Sequence, residues 1–199
     1  MTQSVYQRVL GPRFADLDPH LGSYFSALEP GTVGRGSGVY DVAGSAQRWL
    51  VPALALLGWR RILFPEFGRD IPFDIENTPG PDGGLSAVRV THFATRDRVM
   101  EDTMRVIDGR LHDFLGRRRG LEVRFVLSVA SGALVMRSDR TWLHLGPLRL
   151  RLPALLSASV DLTVQWDGDA QRVIVRMRHP LFGTVFEYGG RFAYRVECG

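Results

Sequence analysis

The chain has 199 residues, 45% of them hydrophobic, which suits one domain with a sizeable core. Its 25 basic residues are all arginine, so chemistry that needs a side-chain amine is excluded: no Schiff base, no pyridoxal attachment, no phosphate-loop lysine. A formal charge of +4 is mildly cationic and well short of a dedicated nucleic-acid binder. 

Cys198, the only cysteine, excludes an intramolecular disulfide and a cysteine metal cluster and is compatible with a reducing compartment. Met1 to Asp16 lacks the apolar run and small-residue cleavage pattern of a secretory signal, so a cytoplasmic location is expected.

A single domain, 1–199, is expected, with a helical portion over 1–65 that includes one glycine-rich strand, followed by an antiparallel barrel portion over 69–197. Ser4 and Gln7 form a capping box before Val5 to Leu10. Pro12 and Pro19 can open two more short helices, the second running through Tyr24, Phe25 and Leu28. From Val33 to Tyr40, Gly34, Gly36 and Gly38 alternate with larger residues, as in a strand that another element approaches closely. Ser45 can cap an apolar helix from Ala46 to Arg61, which Pro52 should kink or restart. The most apolar part, Trp49 to Leu63, contains Pro52, Gly58, Arg60 and Arg61 and falls short of the roughly 20 residues that span a bilayer. It reads as a core helix or a surface-lying one, and no stable membrane insertion is expected.

From Ile71 onward the period switches to two. Val88, Val90, His92 and Ala94 share a face, as do Met100, Asp102, Met104 and Val106, then Leu121 to Val129, then Leu134, Met136, Ser138, Arg140 and Trp142. Asp108-Gly109 and Ser131-Gly132 are hairpin turns, and Asp167 to Ala170 is a longer one. Centring a turn on Ser131-Gly132 pairs Leu127 with Met136 and Phe125 with Ser138, and brings Arg124 opposite Asp139. The Asp167 turn pairs Val164 with Val173 and Asp161 with Arg176, so charge meets countercharge on the outer face. The fold class is α+β, mostly β. A sheet this large would expose too much apolar surface if left open, so a closed or half-closed barrel of about eight to nine strands is expected, with the short N-terminal helices plugging or flanking it.

Several polar residues interrupt the expected inner face. A three-residue loop over Thr95 to Asp97 makes His92 and Asp102 diagonal neighbours, an arrangement suited to general acid–base work or to a self-satisfied buried pair. Arg140 continues the face of Met136 and cannot shed its charge, so it should meet a carboxylate, a ligand anion or water. His92, Asp102 and Arg140 are the candidate catalytic residues. Met100, Met104, Met136, Ser138, Trp142 and His144 are candidate ligand contacts. No histidine pair has metal-ligand spacing, and no cofactor is expected. Gly34, Gly36 and Gly38 do not open a helix as a dinucleotide fingerprint would. The Arg117-Arg118-Arg119 loop reads as a solvated turn, and Leu148 to Leu152, alternating with Arg149 and Arg151, as an edge strand or a lip that meets membrane or partner.

The stretch Met136-Arg137-Ser138-Asp139-Arg140-Thr141-Trp142, continuing through His144 to Pro153, together with His179-Pro180-Leu181-Phe182-Gly183 and the aromatic run to Phe192, resembles a bacterial family catalogued as domain of unknown function 4166. The likeness runs from Tyr6 to Val196. It implies a bacterial, cytoplasmic protein near small-molecule metabolism, in a family whose members stand alone or are joined to dehydrogenase-like domains. Two functions are therefore expected to compete. One is a barrel that encloses a hydrophobic small molecule and catalyses a cofactor-independent isomerisation or cyclisation. The other is a non-catalytic accessory module that docks on a dinucleotide-dependent dehydrogenase.

Overall fold

A computed structural model of the protein describes residues 3–80 and 83–199; Met1, Thr2, Pro81 and Asp82 lie outside it. Twelve strands follow the helical N-terminal segment: β1 Thr32–Gly44, β2 Phe67–Gly68, β3 Ile71–Pro79, β4 Leu85–Phe93, β5 Arg96–Ile107, β6 Arg110–Leu115, β7 Leu121–Ala130, β8 Ala133–Leu145, β9 Leu148–Arg151, β10 Ser159–Asp167, β11 Ala170–His179 and β12 Gly183–Cys198. Ten of them form an antiparallel ring, because β8 pairs with β10, Leu134 opposite Val164 and Arg137 opposite Asp161. The barrel is closed, with β2 added beside β1 and β9 beside β8. Closure removes the two long edges that an open meander would present. The glycine-rich strand is itself a stave, between β12 and β3. A Cβ at Gly34 would overlap the Tyr194 hydroxyl, which is the close approach its composition called for.

The hairpin arithmetic survives in detail. Ala130 meets Ala133, Leu127 meets Met136, Phe125 meets Ser138, and Asp161 lies opposite Arg176. Asp161 nonetheless forms its ion pairs with Arg137 and Arg178, both at 3.5 Å, while Arg176 reaches Glu187.

One end of the barrel is filled from the N-terminus. Helix α1 (Val5–Leu10) starts at the Ser4–Gln7 capping box, and the Ser4 hydroxyl also donates to the Phe25 carbonyl at 2.6 Å. A 3₁₀ segment over Gly11–Asp16, another over Pro19–Leu21 and α2 (Gly22–Phe25) complete the plug, which ends before Leu28. Val5, Tyr6, Leu10, Leu21 and Phe25 are buried against Met104, Leu111, Phe125, Leu134 and Met136 of the staves. Pro52 restarts the helix rather than kinking it. A 3₁₀ turn over Arg48–Leu50 gives way to α3 (Val51–Trp59) with Pro52 in its first turn, where its missing N–H costs nothing.

Candidate functional site

The inner face of β4 is the opposite of the expected one. The β4–β5 turn has two residues, Ala94 and Thr95, so Phe93 pairs with Arg96 and His92 with Asp97. This odd shift in register turns Leu85, Ala87, Arg89, Thr91 and Phe93 inward and sends Val88, Val90 and His92 outward. Arg89 therefore enters the lumen, where it forms an ion pair with Asp102 across the β4–β5 ladder. Burial works against the guanidinium charge, but the Asp102 carboxylate outweighs it and holds Arg89 firmly protonated. Asp113, on β6 opposite Met104, is the third charged-type residue inside. Its own burial, reinforced by the neighbouring Asp102 charge, pushes its carboxyl well above the usual range, toward the neutral acid.

Around Arg89 lie Tyr24, Tyr40 and Tyr188. Burial raises all three phenols, that of Tyr188 to about 12, so each stays a neutral hydroxyl. These groups, with Tyr6, Phe25, Phe73, Met104, Met136 and Phe192, surround a cavity of about 30 Å³. That is room for a water or two and for no organic ligand. The Tyr6 hydroxyl donates to the Met104 sulfur at 3.3 Å, and Tyr40 stacks on Phe73 with ring centroids 3.8 Å apart. Asp102 Oδ2 and Asp113 Oδ1 are buried without a hydrogen-bond partner among the described residues.

The expected site residues fall into two groups. Met104 and Met136 do line the cavity. Asp102 and Met100 face inward, and Ser138, opposite Phe125, gives its hydroxyl as acceptor to the Val160 amide at 2.7 Å. The other four candidates lie outside. His92 stands between Asp74 and Asp97, 2.9 Å from each, and hydrogen bonds to Asp74 first and Asp97 second raise its pKa. It has no contact with Asp102, and the expected acid–base pair does not form. Arg140, Trp142 and His144 point outward because β8 carries one extra residue. Phe125 pairs with Ser138 but Arg124 pairs with Arg140, so a bulge at Asp139 inverts the alternation for the rest of the strand. Arg124 still takes Asp139 in a two-pronged ion pair at 2.5 and 2.8 Å.

Trp142 and His144 belong to a cluster on the outer wall that no spacing in the sequence announces. Glu122, 1% exposed, accepts hydrogen bonds from His112 Nδ1 at 2.7 Å, His144 Nε2 at 2.6 Å and both prongs of Arg149 at 2.5 and 2.9 Å. Burial opposes its charge, but the donations from Arg149, His144 and His112 bring the Glu122 pKa down to about 2. An ionised carboxylate only accepts, which fixes the proton on His112 Nδ1 and on His144 Nε2. Arg149 also lies 4.2 Å over the Trp142 ring. With its oxygens saturated, Glu122 has no capacity left for proton transfer. The cluster clamps β9 to the barrel wall.

The family model for Domain of unknown function DUF4166 matches residues 17–192. The chain belongs to this family. A relative, the "Uncharacterized protein YndH" of Bacillus subtilis (strain 168), is 28% identical over 163 residues, covering 76% of this chain and 78% of its own. Among solved structures, the crystal structure of Rv2717c from M. tuberculosis is similar over 90% of this chain and 99% of its own, at 14% identity and a TM-score of 0.46.

Proposed function

We propose that this DUF4166 protein binds a small, largely apolar molecule in the barrel lumen through a carbonyl or enolate oxygen, and that isomerisation or cyclisation through that oxygen is the chemistry the lumen favours. The observation that carries this is the set of groups inside: the Arg89 guanidinium and the Tyr24, Tyr40 and Tyr188 hydroxyls on the cavity, with the buried Asp113 carboxyl, pushed toward its neutral form, on the same inner face opposite Met104. A carboxylic acid kept protonated beside a phenol is a known way to stabilise an oxyanion at neutral pH. The two partnerless carboxyl oxygens beside it are costly in a finished core, and a ligand that supplied donors to them would recover that cost. 

The size of the cavity sets a condition. Because Tyr6, Tyr24 and Phe25 form one wall, a ligand larger than a water must displace the N-terminal plug. Methyl-labelled methionine spectra test this directly, since Met104 and Met136 line the cavity while Met177 on β11 does not. Titration with 2-naphthol, a phenolate probe, should shift Met104 and Met136 saturably, and Tyr188→Phe should weaken binding about tenfold, the loss of one buried hydrogen bond. If no member of a series of phenols and cyclic enones moves these two resonances, the lumen is a closed core and the assignment fails.

A further inference from the structure

Helix α3 breaks the ordinary rule of burial. Its sequence, VPALALLGW, is apolar on every side, and such a helix is normally a core element. Yet only Leu54 is buried, while Leu56 is 62% and Trp59 70% exposed. 

The same end of the barrel collects nearly all the exposed apolar surface of the molecule. It is the end where β1 finishes, β8 turns into β9, β11 turns into β12 and β10 begins. Of the exposed large apolar side chains, all but Val39, Val88, Ile107, Val126 and Val196 lie here. Part of this surface is joined by direct contacts. Trp49 packs edge-on against Phe182 at 4.8 Å, Gln47 holds the Phe182 and Thr184 carbonyls, and His179 bridges from Phe182 to the Leu155 carbonyl. From there Leu155, Leu156 and Leu181 project at 60 to 70% exposure.

Charge says what covers it. Three of the carboxylates at this end are engaged, Glu66 by Arg98, Glu101 by Arg61 and Glu122 by Arg149, while Asp70 is exposed. Arg60, Arg117 and Arg118 edge one hollow with Trp59, outside any ion pair among the described residues. Arg140 and Arg151 edge a second, a groove of about 500 Å³ that runs beneath the Leu155 loop. Apolar tips ringed by free guanidinium groups match a bilayer carrying anionic phosphate headgroups. 

We propose that this end of the barrel docks on the surface of an anionic phospholipid bilayer. Trp49, Leu56, Trp59, Leu156 and Leu181 enter the headgroup–acyl boundary, and the arginines of the two hollows take lipid phosphates. No helix among the described residues is long and apolar enough to cross a membrane, and docking at the interface needs none. The opposite, plugged end then faces the aqueous side.

Flotation of the whole chain with vesicles decides it. With phosphatidylcholine vesicles containing about 30% phosphatidylglycerol, the protein should float at low salt, and with phosphatidylcholine alone its bound fraction should fall at least about tenfold. The double variant Trp59→Glu with Leu156→Glu should lose binding to both, and Arg117→Gln with Arg118→Gln should lose mainly the preference for phosphatidylglycerol. Tryptophan emission of the wild type should shift to the blue on the anionic vesicles. The proposal is overturned if the wild type stays in the soluble fraction with both vesicles, if the Glu variant floats as well as the wild type while keeping its near-ultraviolet circular dichroism, or if the patch instead pairs two copies of the chain and leaves vesicles unbound.

Discussion

The two ends of the barrel are capped by helical segments of opposite character. At the plugged end, α1 is amphipathic, VYQRVL, and it buries Val5, Tyr6 and Leu10 while Arg8 stays outside. At the other end α3 is far more apolar and buries a single residue. Burial is decided by what an element meets and not by its own hydrophobicity. The plug meets a ring of inward apolar side chains, whereas α3 meets a lumen already filled by Phe64, Tyr188 and Phe186, which leaves its outer surface uncovered. The turns follow the same division, with Asp108-Gly109, Ser131-Gly132 and Asp167-Gly168 at the plugged end and Leu155-Leu156 and Leu181-Phe182 at the other.

The largest expected effect on stability is therefore at the plug. Phe25→Ala, at 1% exposure and in edge contact with Tyr6 and Tyr24, should cost about 3–5 kcal/mol in urea denaturation. A loss below about 1 kcal/mol would mean that the plug is a loose lid rather than part of the core. Next comes the clamp that holds β9 in place. Glu122→Gln removes the charged acceptor shared by Arg149 and two histidines and should cost about 2 kcal/mol at neutral pH. Because the folded pKa is depressed, to about 2 from 4.5, the carboxylate's contribution is fully present above pH 4.5 and is lost as pH falls toward 2. The Gln variant should show a flatter acid limb in thermal denaturation followed against pH.

Asp113 should behave in the opposite sense. Its folded pKa is raised, so its contribution is fully present below its ordinary 3.8 and declines as pH climbs from there toward the folded value. Asp113→Asn keeps the shape of the neutral acid and removes that decline, so the variant should gain on the wild type as pH rises. If the two stability curves run parallel from pH 4 upward, Asp113 is ionised in the fold and the donor set proposed for the lumen is one member short.

Legibility followed the turns. Where a hairpin has an unambiguous two-residue signal, as at Ser131-Gly132, the register down to Phe125 opposite Ser138 could be read from residues alone. Past that point the bulge at Asp139 flipped Arg140, Trp142 and His144, and nothing in a period-two pattern marks where an extra residue is inserted. On β4 both faces of Leu85–Phe93 carry apolar residues, so the choice between them falls to the turn: a three-residue loop over Thr95 to Asp97 puts Val88 and Val90 inside, whereas the two-residue turn at Ala94 and Thr95 turns the other face in. An arginine turns inward when a carboxylate waits for it, and the pattern of Met100, Asp102 and Met104 places Asp102 inside. The pairing of an inward Asp with the nearest basic residue on the adjacent strand was the signal available. The strand count came out at ten rather than eight or nine because the glycine-rich strand is a full stave of the ring. The Glu122 cluster joins β6, β7, β8 and β9, so its members become neighbours only once these four consecutive strands are paired in register, with the bulge at Asp139 included.

The smallest expected effect on stability is at the uncovered end, and there smallness is the informative result. Trp59→Ala and Leu156→Ala remove side chains that are each 70% exposed, so each should change the urea midpoint by less than about 0.5 kcal/mol. Large apolar groups held in water at no benefit to the fold are a liability for solubility. If both variants are neutral in stability yet lose vesicle binding, the contrast between the ends is one between a core and an interface. If instead Trp59→Ala destabilises by 2 kcal/mol or more, the size of a buried-core loss, then α3 packs more closely in solution than its exposure indicates, and the apolar end is a second plug.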